Sequence, residues 1–444
     1  SSAEHARSCM GGGSPRPIRA DLASASDTET AMLNPSPQKR DANVSSSSTS
    51  CACRCCCSCL CILVVILIGA YAHIIRMLTN IALDNMLHMN REQTHQYCNS
   101  GLAMENLTYK IWWPGCGEVS SSPDFQKCTS PCFDPKLLKR MNAFNKKNPG
   151  TRVSYPSRVH DKLETIQLEG WWLPAANGSK KTTPRIVVQH GFKANSNKFR
   201  TALAAYMLRT IGYDVLVNNF RDHCYSDDSD VDIYQWGQAY PYDLLGAWDY
   251  LTSDPDGLLG GSRPANKVGL MGFSKGAFTA INAFGLEGDV PAVWVDSPPF
   301  TPEVVFANGA QIEMDKMGIG FLGPLLIGPV WWIVTKNALS HGVDLNSNLP
   351  SKVLPQGPDK TRPIFWVGNE EDTTVPLYEG RSLMDLMEKY PEKYSIRGRW
   401  EATGTCNGND HCVDHLHHFD KYLHELDKFW SAALDVTKAE DVNA

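Results

Sequence analysis

The residues best suited to chemistry lie in the pentapeptide 272–276, Gly-Phe-Ser-Lys-Gly. The apolar run 267–271 before it is typical of a buried strand, and 277–281 after it is typical of the start of a helix. A tight turn between strand and helix lifts a serine hydroxyl above a sheet edge, and the flanking glycines leave room for that turn. We therefore predict that Ser274 is a nucleophile that attacks acyl carbon once a base takes its proton.

An aspartate and a histidine follow this serine in an informative order. Asp372 comes shortly after the apolar run 364–367 and stands in an Asp-x-x-Val-Pro context. His411 follows a glycine-containing loop and precedes a C-terminal helical pattern. The order Ser, Asp, His is one of the known triad orders. We expect His411 to act as the base and Asp372 to hold its imidazole ring in the productive tautomer.

Neighbouring residues compete for these two roles. Glu370 and Glu371 directly precede the predicted acid, and we interpret them as solvated loop charges. Asp296 ends another predicted strand, where a structural carboxylate is the preferred interpretation. His415 follows the predicted base by four residues and stays open as the alternative base.

Acyl transfer also needs two fixed donors for the oxyanion. The backbone amides of Lys275, next to the nucleophile, and of Phe192, after a strand that ends in His-Gly, suit this role. We expect His190 to hold its loop by a hydrogen bond and His223 to organise another loop. The Lys275 ammonium is not favoured by the helix dipole, so we expect it to point to solvent.

The elements that must position these groups alternate between strands and helices from about residue 165. Such alternation predicts an α/β fold with a mostly parallel, twisted sheet and flanking helices. The predicted strands are 186–189, 214–218, 267–271, 292–296 and 364–367. The predicted helices are 199–208, 241–251 and a final amphipathic helix over 419–430.

Several stretches match a known group of proteins in the same order. They are 190–196, 212–217, 221–223, 272–276, 296–298, the loop with Asp372, and His411. From about Thr165 to Trp430 the chain resembles membrane-anchored α/β-hydrolases of the serine aminopeptidase-like and prolyl-oligopeptidase-like group. The resemblance implies an α/β-hydrolase fold with a cap insertion and an acyl-enzyme on Ser274 that water releases. The chain departs from its relatives at Cys224, where they usually carry glycine.

Composition excludes some classes of function. The net charge of the 444 residues is −6 and no basic block is present, which argues against nucleic acid as a partner. No cysteine and histidine set has zinc spacing, so we predict neither a metal site nor a cofactor.

The 15 cysteines fall into two groups. Eight lie within the first 61 residues, where a juxtamembrane cluster is a candidate for S-acylation. For the remaining seven we expect disulfides among Cys98, Cys116, Cys128 and Cys132, a further bond between Cys406 and Cys412, and a free thiol at Cys224.

One uncharged run near the N-terminus predicts a membrane helix. Residues 55–72 hold no charge over 18 residues, enough to cross a bilayer core, and a cleaved signal peptide is the alternative. Basic residues before the run slightly outweigh those after it, which favours a cytosolic N-terminus and a luminal or extracellular hydrolase domain. On that side the sequons at Asn106 and Asn177 are usable.

The predicted organisation has five parts. They are a disordered tail (1–50), a Cys-rich segment with the transmembrane helix (51–77), a stalk and N-terminal extension (78–150), a hydrolase domain (151–435) and a short tail (436–444). An uncharged stretch at 317–334 permits a second span, a buried helix or a cap. We favour a cap at about 300–355, with an apolar face toward substrate or membrane.

The predicted activity is that of a membrane-tethered serine hydrolase. Its partners are a small-molecule or peptide acyl substrate and, through the N-terminal span, membrane lipid. Esterase or thioesterase action and peptidase action both stay open, because they share the triad and differ in cap and pocket. A binding module without turnover is the alternative from a different class.

Overall fold

The computed structural model describes residues 50–95, 98, 111–113, 117–119, 128–160, 163–196, 198–406, 408 and 410–434. Residues 1–49 of the tail predicted to be disordered, Asn106, Cys116 and residues 435–444 lie outside these described residues. The chain divides into two units, Ser1–Val64 and Val65–Ala444. The described part of the first unit, residues 50–64, is helical.

The helices and strands are named in chain order. The helices are α1 (Ser50–Ala82), α2 (Arg91–Thr94), α3 (Pro135–Lys147), α4 (Phe199–Thr210), α5 (Trp236–Ser253), α6 (Lys275–Leu286), α7 (Pro302–Lys316), α8 (Gly323–Ser340), α9 (Pro350–Val353), α10 (Leu377–Met387), α11 (Asp414–His417) and α12 (Phe419–Ala433). The strands are β1 (Ile111–Trp113), β2 (Gly117–Val119), β3 (Thr151–Pro156), β4 (Gln167–Leu173), β5 (Arg185–Gln189), β6 (Asp214–Asn218), β7 (Val268–Phe273), β8 (Val293–Asp296), β9 (Arg362–Asn369) and β10 (Tyr394–Ala402).

Eight of the strands form one sheet in the order β10-β9-β8-β7-β5-β6-β4-β3. The pairs from β10 through β6 are parallel, whereas β4 pairs antiparallel with β6 and with β3. With helices on both faces, this order is the α/β-hydrolase fold, and the predicted fold class is confirmed. The register pairs Phe273 of β7 with Asp296 of β8, and Asp296 with Val367 of β9. The carboxyl ends of these three strands therefore lie at one edge.

Two apolar clusters cover the two faces of the sheet. One packs α4 and α12 against it and includes Trp294, which stacks on Phe365 with ring centroids 3.9 Å apart. The other packs α5, α6 and α10 against the opposite face. Because both faces are covered, the central strands are buried along their whole length, and their polar residues stand only at their ends.

All five predicted strands are present, with ends that differ by one or two residues. The sequence reasoning missed β3, β4 and β10, which lie toward the edges of the sheet. These strands carry polar or charged residues among the apolar ones, so their sequences lack a continuous apolar run. Helix α5 begins at Trp236, earlier than predicted, because Pro241 lies within the helix.

The uncharged stretch 317–334 forms the second half of a helical hairpin made by α7 and α8. One side of α8 is buried through Leu326, Val330, Val334 and Ala338, which recur every four residues. These side chains join a third apolar cluster with Phe306 of α7. The hairpin therefore packs on the body by one face, and we refer to it as the cap hairpin.

Helix α1 contains the described segment that is long and apolar enough to cross a membrane, Leu60–Ala82. Its large apolar side chains between Leu60 and Tyr71 are exposed. Further along, Leu78 and Ala82 are buried in the third cluster, together with residues of the cap hairpin. The same helix thus supplies a bare apolar segment and a part of the core.

The disulfides differ from those predicted. Cys98 is bonded to Cys224, and Cys132 is bonded to Cys406. The predicted pairing of Cys98 and Cys132 within the N-terminal group of four, the predicted Cys406–Cys412 bond and the free thiol at Cys224 are therefore wrong. Cys412 is a buried free thiol instead. Its backbone has φ 50°, and its sulfur lies 3.8 Å from the Asp296 carbonyl oxygen, which directs it inward and away from Cys406.

Candidate active site

Ser274 stands on a strained turn between β7 and α6. Its backbone has φ 53° and ψ −123°, a region that residues other than glycine rarely adopt. A Cβ on Gly272 would collide with the Gly276 carbonyl group, and a Cβ on Gly276 would collide with that of His190. The Ser274 amide donates to the Asp296 carbonyl oxygen at 2.9 Å, which ties the turn to the next strand. This geometry is that of a nucleophile elbow, as the pentapeptide predicts.

Asp372 and His411 form a hydrogen-bonded pair. His411 Nδ1 lies 2.7 Å from Asp372 Oδ2. The other carboxylate oxygen accepts from the amides of Thr374 at 2.9 Å and Val375 at 2.8 Å, and the side chain of Asp372 is buried. With Nδ1 occupied in this way, Nε2 is the ring nitrogen that can accept a proton. The pairing agrees with the expected acid and base.

A shared carbonyl group brings this pair close to the elbow. The Asp296 carbonyl oxygen accepts from the Ser274 amide and also lies 3.8 Å from the sulfur of Cys412, the neighbour of His411. Arg200 fixes the same segment by donating to the carbonyl oxygen of His411 at 2.6 Å and to that of Cys412 at 3.0 Å. Among the described residues, no hydrogen bond joins Ser274 to His411. Such bonds commonly tighten only when substrate is bound.

The competing residues have other surroundings. His415 is fully buried against the rings of Phe199, Phe273 and Tyr422, and burial lowers its pKa to about 3. Neither of its ring nitrogens has a hydrogen-bond partner within the described residues, so it lacks the carboxylate that a catalytic base needs.

The alternative acids also have structural contacts. Asp296 accepts a hydrogen bond of 2.9 Å from the Tyr422 hydroxyl, and burial together with nearby Asp414 raises its pKa well above the usual value. Glu371 accepts from the Gly404 amide at 2.6 Å, and both loop glutamates are exposed. These contacts agree with the roles expected from the sequence.

The two residues whose amides are expected to bind an oxyanion, Lys275 and Phe192, both come from segments next to the serine. Lys275 is the first residue of α6, and amides in a first helical turn have no partner within the helix. On the other side, a Cβ on Gly191 would lie only 3.2 Å from the Ser274 Cβ atom, so the chain that leads to Phe192 passes directly beside the nucleophile. The ring nitrogen Nδ1 of His190 lies 3.0 Å from the Gly191 carbonyl oxygen, and the expected loop-holding role is confirmed.

The side chain of Lys275 does not point to solvent, and that prediction is wrong. The residue is fully buried, and its ammonium nitrogen lies 4.4 to 4.8 Å from the ring centroids of Tyr240, Phe220 and Tyr234. Burial lowers its pKa well below the usual value, with a partial offset from nearby carboxylates. The rings favour a cation through their faces, but none of them supplies a hydrogen bond.

The loop over 221–224 braces this aromatic cage. His223 Nδ1 lies 2.7 Å from the Arg221 carbonyl oxygen, and the guanidinium of Arg221 forms a buried ion pair with Asp243 at 2.7 Å. Burial and the nearby Lys275 lower the pKa values of both His190 and His223, which keeps these rings neutral. His223 thus organises its loop, as expected, and the bond between Cys98 and Cys224 closes it.

The comparisons with known proteins gave matches among solved structures alone. The Pyrococcus furiosus esterase Pf2001 is 18% identical to this chain and has a TM-score of 0.46. The match covers 73% of this chain and 99% of the esterase chain. An acylaminoacyl peptidase is 15% identical over 66% of this chain and 43% of its own, with a TM-score of 0.45. A puromycin-hydrolysing peptidase of Mycobacterium tuberculosis is 15% identical over 65% of this chain and 39% of its own, also with a TM-score of 0.45. No family model and no curated protein matches the chain.

Proposed function

We propose that the protein is a serine hydrolase that cleaves ester, thioester or amide bonds through an acyl-enzyme on Ser274. The observation that carries the proposal is the His411–Asp372 hydrogen bond of 2.7 Å, made at the same sheet edge as the strained Ser274 turn. A serine needs a base to become nucleophilic, and a base needs an orienting carboxylate. Both are present here in the chain order that suits the fold.

The reaction follows from these positions. His411 Nε2 takes the proton of the Ser274 hydroxyl while the Ser274 oxygen bonds to the substrate carbonyl carbon. The amides of Lys275 and Phe192 bind the negative oxygen of the tetrahedral intermediate. The imidazolium then gives its proton to the leaving alcohol, thiol or amine as the acyl bond breaks. Water repeats the sequence on the acyl-enzyme and releases the acid and free serine.

We also propose that α1 tethers this hydrolase to a membrane, with the catalytic body on the luminal or extracellular side. The length of Leu60–Ala82 and the exposed apolar side chains between Leu60 and Tyr71 support the tether. The disulfides Cys98–Cys224 and Cys132–Cys406 support a luminal or extracellular position of the catalytic body, because such bonds persist in oxidising compartments and are rare in the cytosol.

The test is labelling of the detergent-solubilised full-length protein with a fluorophosphonate probe, which bonds to activated serines. Wild type should be labelled and Ser274→Ala should not. Ser297→Ala is a matched control, because Ser297 is also buried near this edge and also has a positive φ, of 48°. Equal labelling of Ser274→Ala and wild type would remove Ser274 from the mechanism.

A further inference from the structure

The turn of the cap hairpin is apolar and exposed. We call residues 317–325 the hairpin tip; they include no charged side chain. Phe321 is 78% exposed and Leu325 is 64% exposed, values that exceed those of most large apolar side chains on the body. An exposed apolar patch of this kind marks an interaction site.

The hairpin tip lies beside the bare segment of α1. The Tyr71 hydroxyl of α1 donates a hydrogen bond of 3.2 Å to the Leu325 carbonyl oxygen. At the other end of α8, the ring of His341 lies 6.4 Å from that of His88, which follows α1. Helix α8 therefore runs alongside α1 in the same direction, and its first turn is level with Tyr71.

Helix α7 completes the arrangement. Gly309, Ala310 and Glu313 of α7 share a groove with Leu78, Ile81 and Ala82 of α1. Since α7 then continues toward the hairpin tip, both cap helices stand along the buried part of α1. Phe321 lies in the short turn Gly320–Leu322 that joins α7 to α8, at the end of the hairpin where Leu325 contacts Tyr71.

The boundary of a membrane would fall at this level. The uncharged run 55–72 ends next to Tyr71, and its 18 residues span about 27 Å as a helix, close to the thickness of a hydrocarbon core. Tyrosine at the end of a span is typical of the interface between lipid and water. The side chains of the hairpin tip are thus level with, or deeper than, the headgroups.

The groove between α1 and α7 begins at Leu78, about 10 Å along α1 from Tyr71. Its volume is about 520 Å³, and its wall includes Lys193. Lys193 is two residues from Gly191, whose backbone passes directly beside Ser274. Leu78, Ile81 and Ala82 give the groove an apolar side that suits an acyl chain, while Lys193 and Glu313 are the charged parts of its wall.

We propose that the cap hairpin inserts its tip into the membrane that holds α1, and that the groove behind it admits an acyl substrate from that membrane. The first half rests on the tether, and the second half also rests on the proposed hydrolase function.

The insertion is tested with the full-length protein in nanodiscs of phosphatidylcholine, part of which carries a diazirine on an acyl chain. After irradiation, mass spectrometry should find lipid adducts on the peptide that contains 317–325. The peptide with Leu258 is the internal control, because this side chain is 59% exposed and follows α5 at the opposite edge of the sheet. If the two peptides were labelled equally, the insertion would be refuted.

The substrate class is tested by two esters, a palmitoyl ester dissolved in the nanodisc and a soluble acetyl ester. In the double variant Phe321→Glu, Leu325→Glu, we expect the ratio of palmitoyl to acetyl ester turnover to fall about tenfold or more, because charges resist insertion. Leu258→Glu should keep the wild-type ratio. An unchanged ratio in the double variant would overturn the membrane route.

The two experiments separate this proposal from the proposed function. If wild type hydrolysed neither ester, the membrane route for an acyl substrate would fail, fluorophosphonate labelling of Ser274 would still decide the hydrolase function, and adducts on the hairpin tip would still establish insertion. If wild type hydrolysed the soluble ester and the hairpin tip gained no adducts, the hydrolase function would stand and the insertion would be overturned.

Discussion

At the scale of the residue, two histidines four positions apart, one in a loop and one in α11, have opposite surroundings. His411 has a carboxylate on Nδ1, whereas His415 is enclosed by aromatic rings. His411→Ala should lower kcat for a soluble ester by about 10⁴-fold or more, because serine loses its base. His415→Phe, four residues further on in α11, is the matched change and should retain most of kcat. Steady-state kinetics on both variants decides between them, and the reverse pattern would transfer the base to His415.

The buried Lys275 ammonium predicts a pH effect on stability. Because its pKa is lowered in the folded state, the folded protein holds fewer protons than the unfolded chain at pH values between the lowered pKa and the ordinary lysine pKa. The contribution of this group to stability therefore increases as pH rises toward that value, and it is unfavourable at lower pH. Lys275→Met should raise the free energy of unfolding, and by more at about pH 6 than at about pH 9.

Urea unfolding of wild type and Lys275→Met at both pH values measures this difference. Lys181→Met is the control, because Lys181 is exposed. Its free energy of unfolding should differ little from that of wild type at both pH values. If the difference in free energy of unfolding between Lys275→Met and wild type did not depend on pH, the ammonium would keep its proton in the folded protein.

The elbow and the cage show what local sequence can and cannot specify. The turn at Ser274 was predictable, because its two glycines are required by contacts within a few residues of it and by the adjacent loop. The orientation of Lys275 was not, since Phe220, Tyr234 and Tyr240 come from loops and a helix distant in sequence. A helix-dipole argument considers the end of one helix and contains no information on such a cage.

At the scale of the element, the loop that leads to His411 is held by the bond between Cys132 and Cys406. Removing both thiols in Cys132→Ser, Cys406→Ser should lower the free energy of unfolding by about 2–5 kcal/mol. It should also lower kcat, because the loop that positions the base gains freedom. Urea unfolding and kinetics measure the two effects. If Cys98→Ser, Cys224→Ser lowered kcat equally, the effect on catalysis would be general and would not depend on the His411 loop.

Among the strands, burial decides which ones the sequence reveals. The central strands β5, β7 and β8 are buried along their whole length, so their apolar runs stand out. Strand β10 alternates in burial and includes charged residues, and β3 is exposed on one face. These strands form because their neighbours in the sheet present unpaired backbone groups, and a pattern of side chains does not record that.

At the scale of the whole molecule, the proposed orientation predicts glycosylation. Asn177 is exposed in a turn after β4 and carries a sequon, so it should be glycosylated in a eukaryotic host when the body faces the lumen. The measurement is the mobility shift on glycosidase treatment of Asn106→Gln, in which this sequon remains. The double variant Asn106→Gln, Asn177→Gln is the control that should show no shift. No shift in the single variant would argue against the luminal side.

The order of chemical groups along the chain was enough to predict the fold, because Ser274, Asp372 and His411 each follow a strand or loop at the expected place. The disulfide pairing was not predictable. The two bonds join residues 126 and 274 positions apart, and sequence alone permits several pairings of the same cysteines. Only the folded body brings these partners together.

Helix α1 passes without a break from its bare apolar segment into the third apolar cluster, where Leu78 and Ala82 lie beside the cap hairpin. Shedding by a protease would therefore be costly for this protein. A cut between residues 73 and 82 would separate the anchor but would also remove apolar contacts between α1 and the cap hairpin. A secreted form that kept its fold would have to retain the last two turns of the helix, so the position of the cut, and not only its occurrence, would determine whether the released body survives.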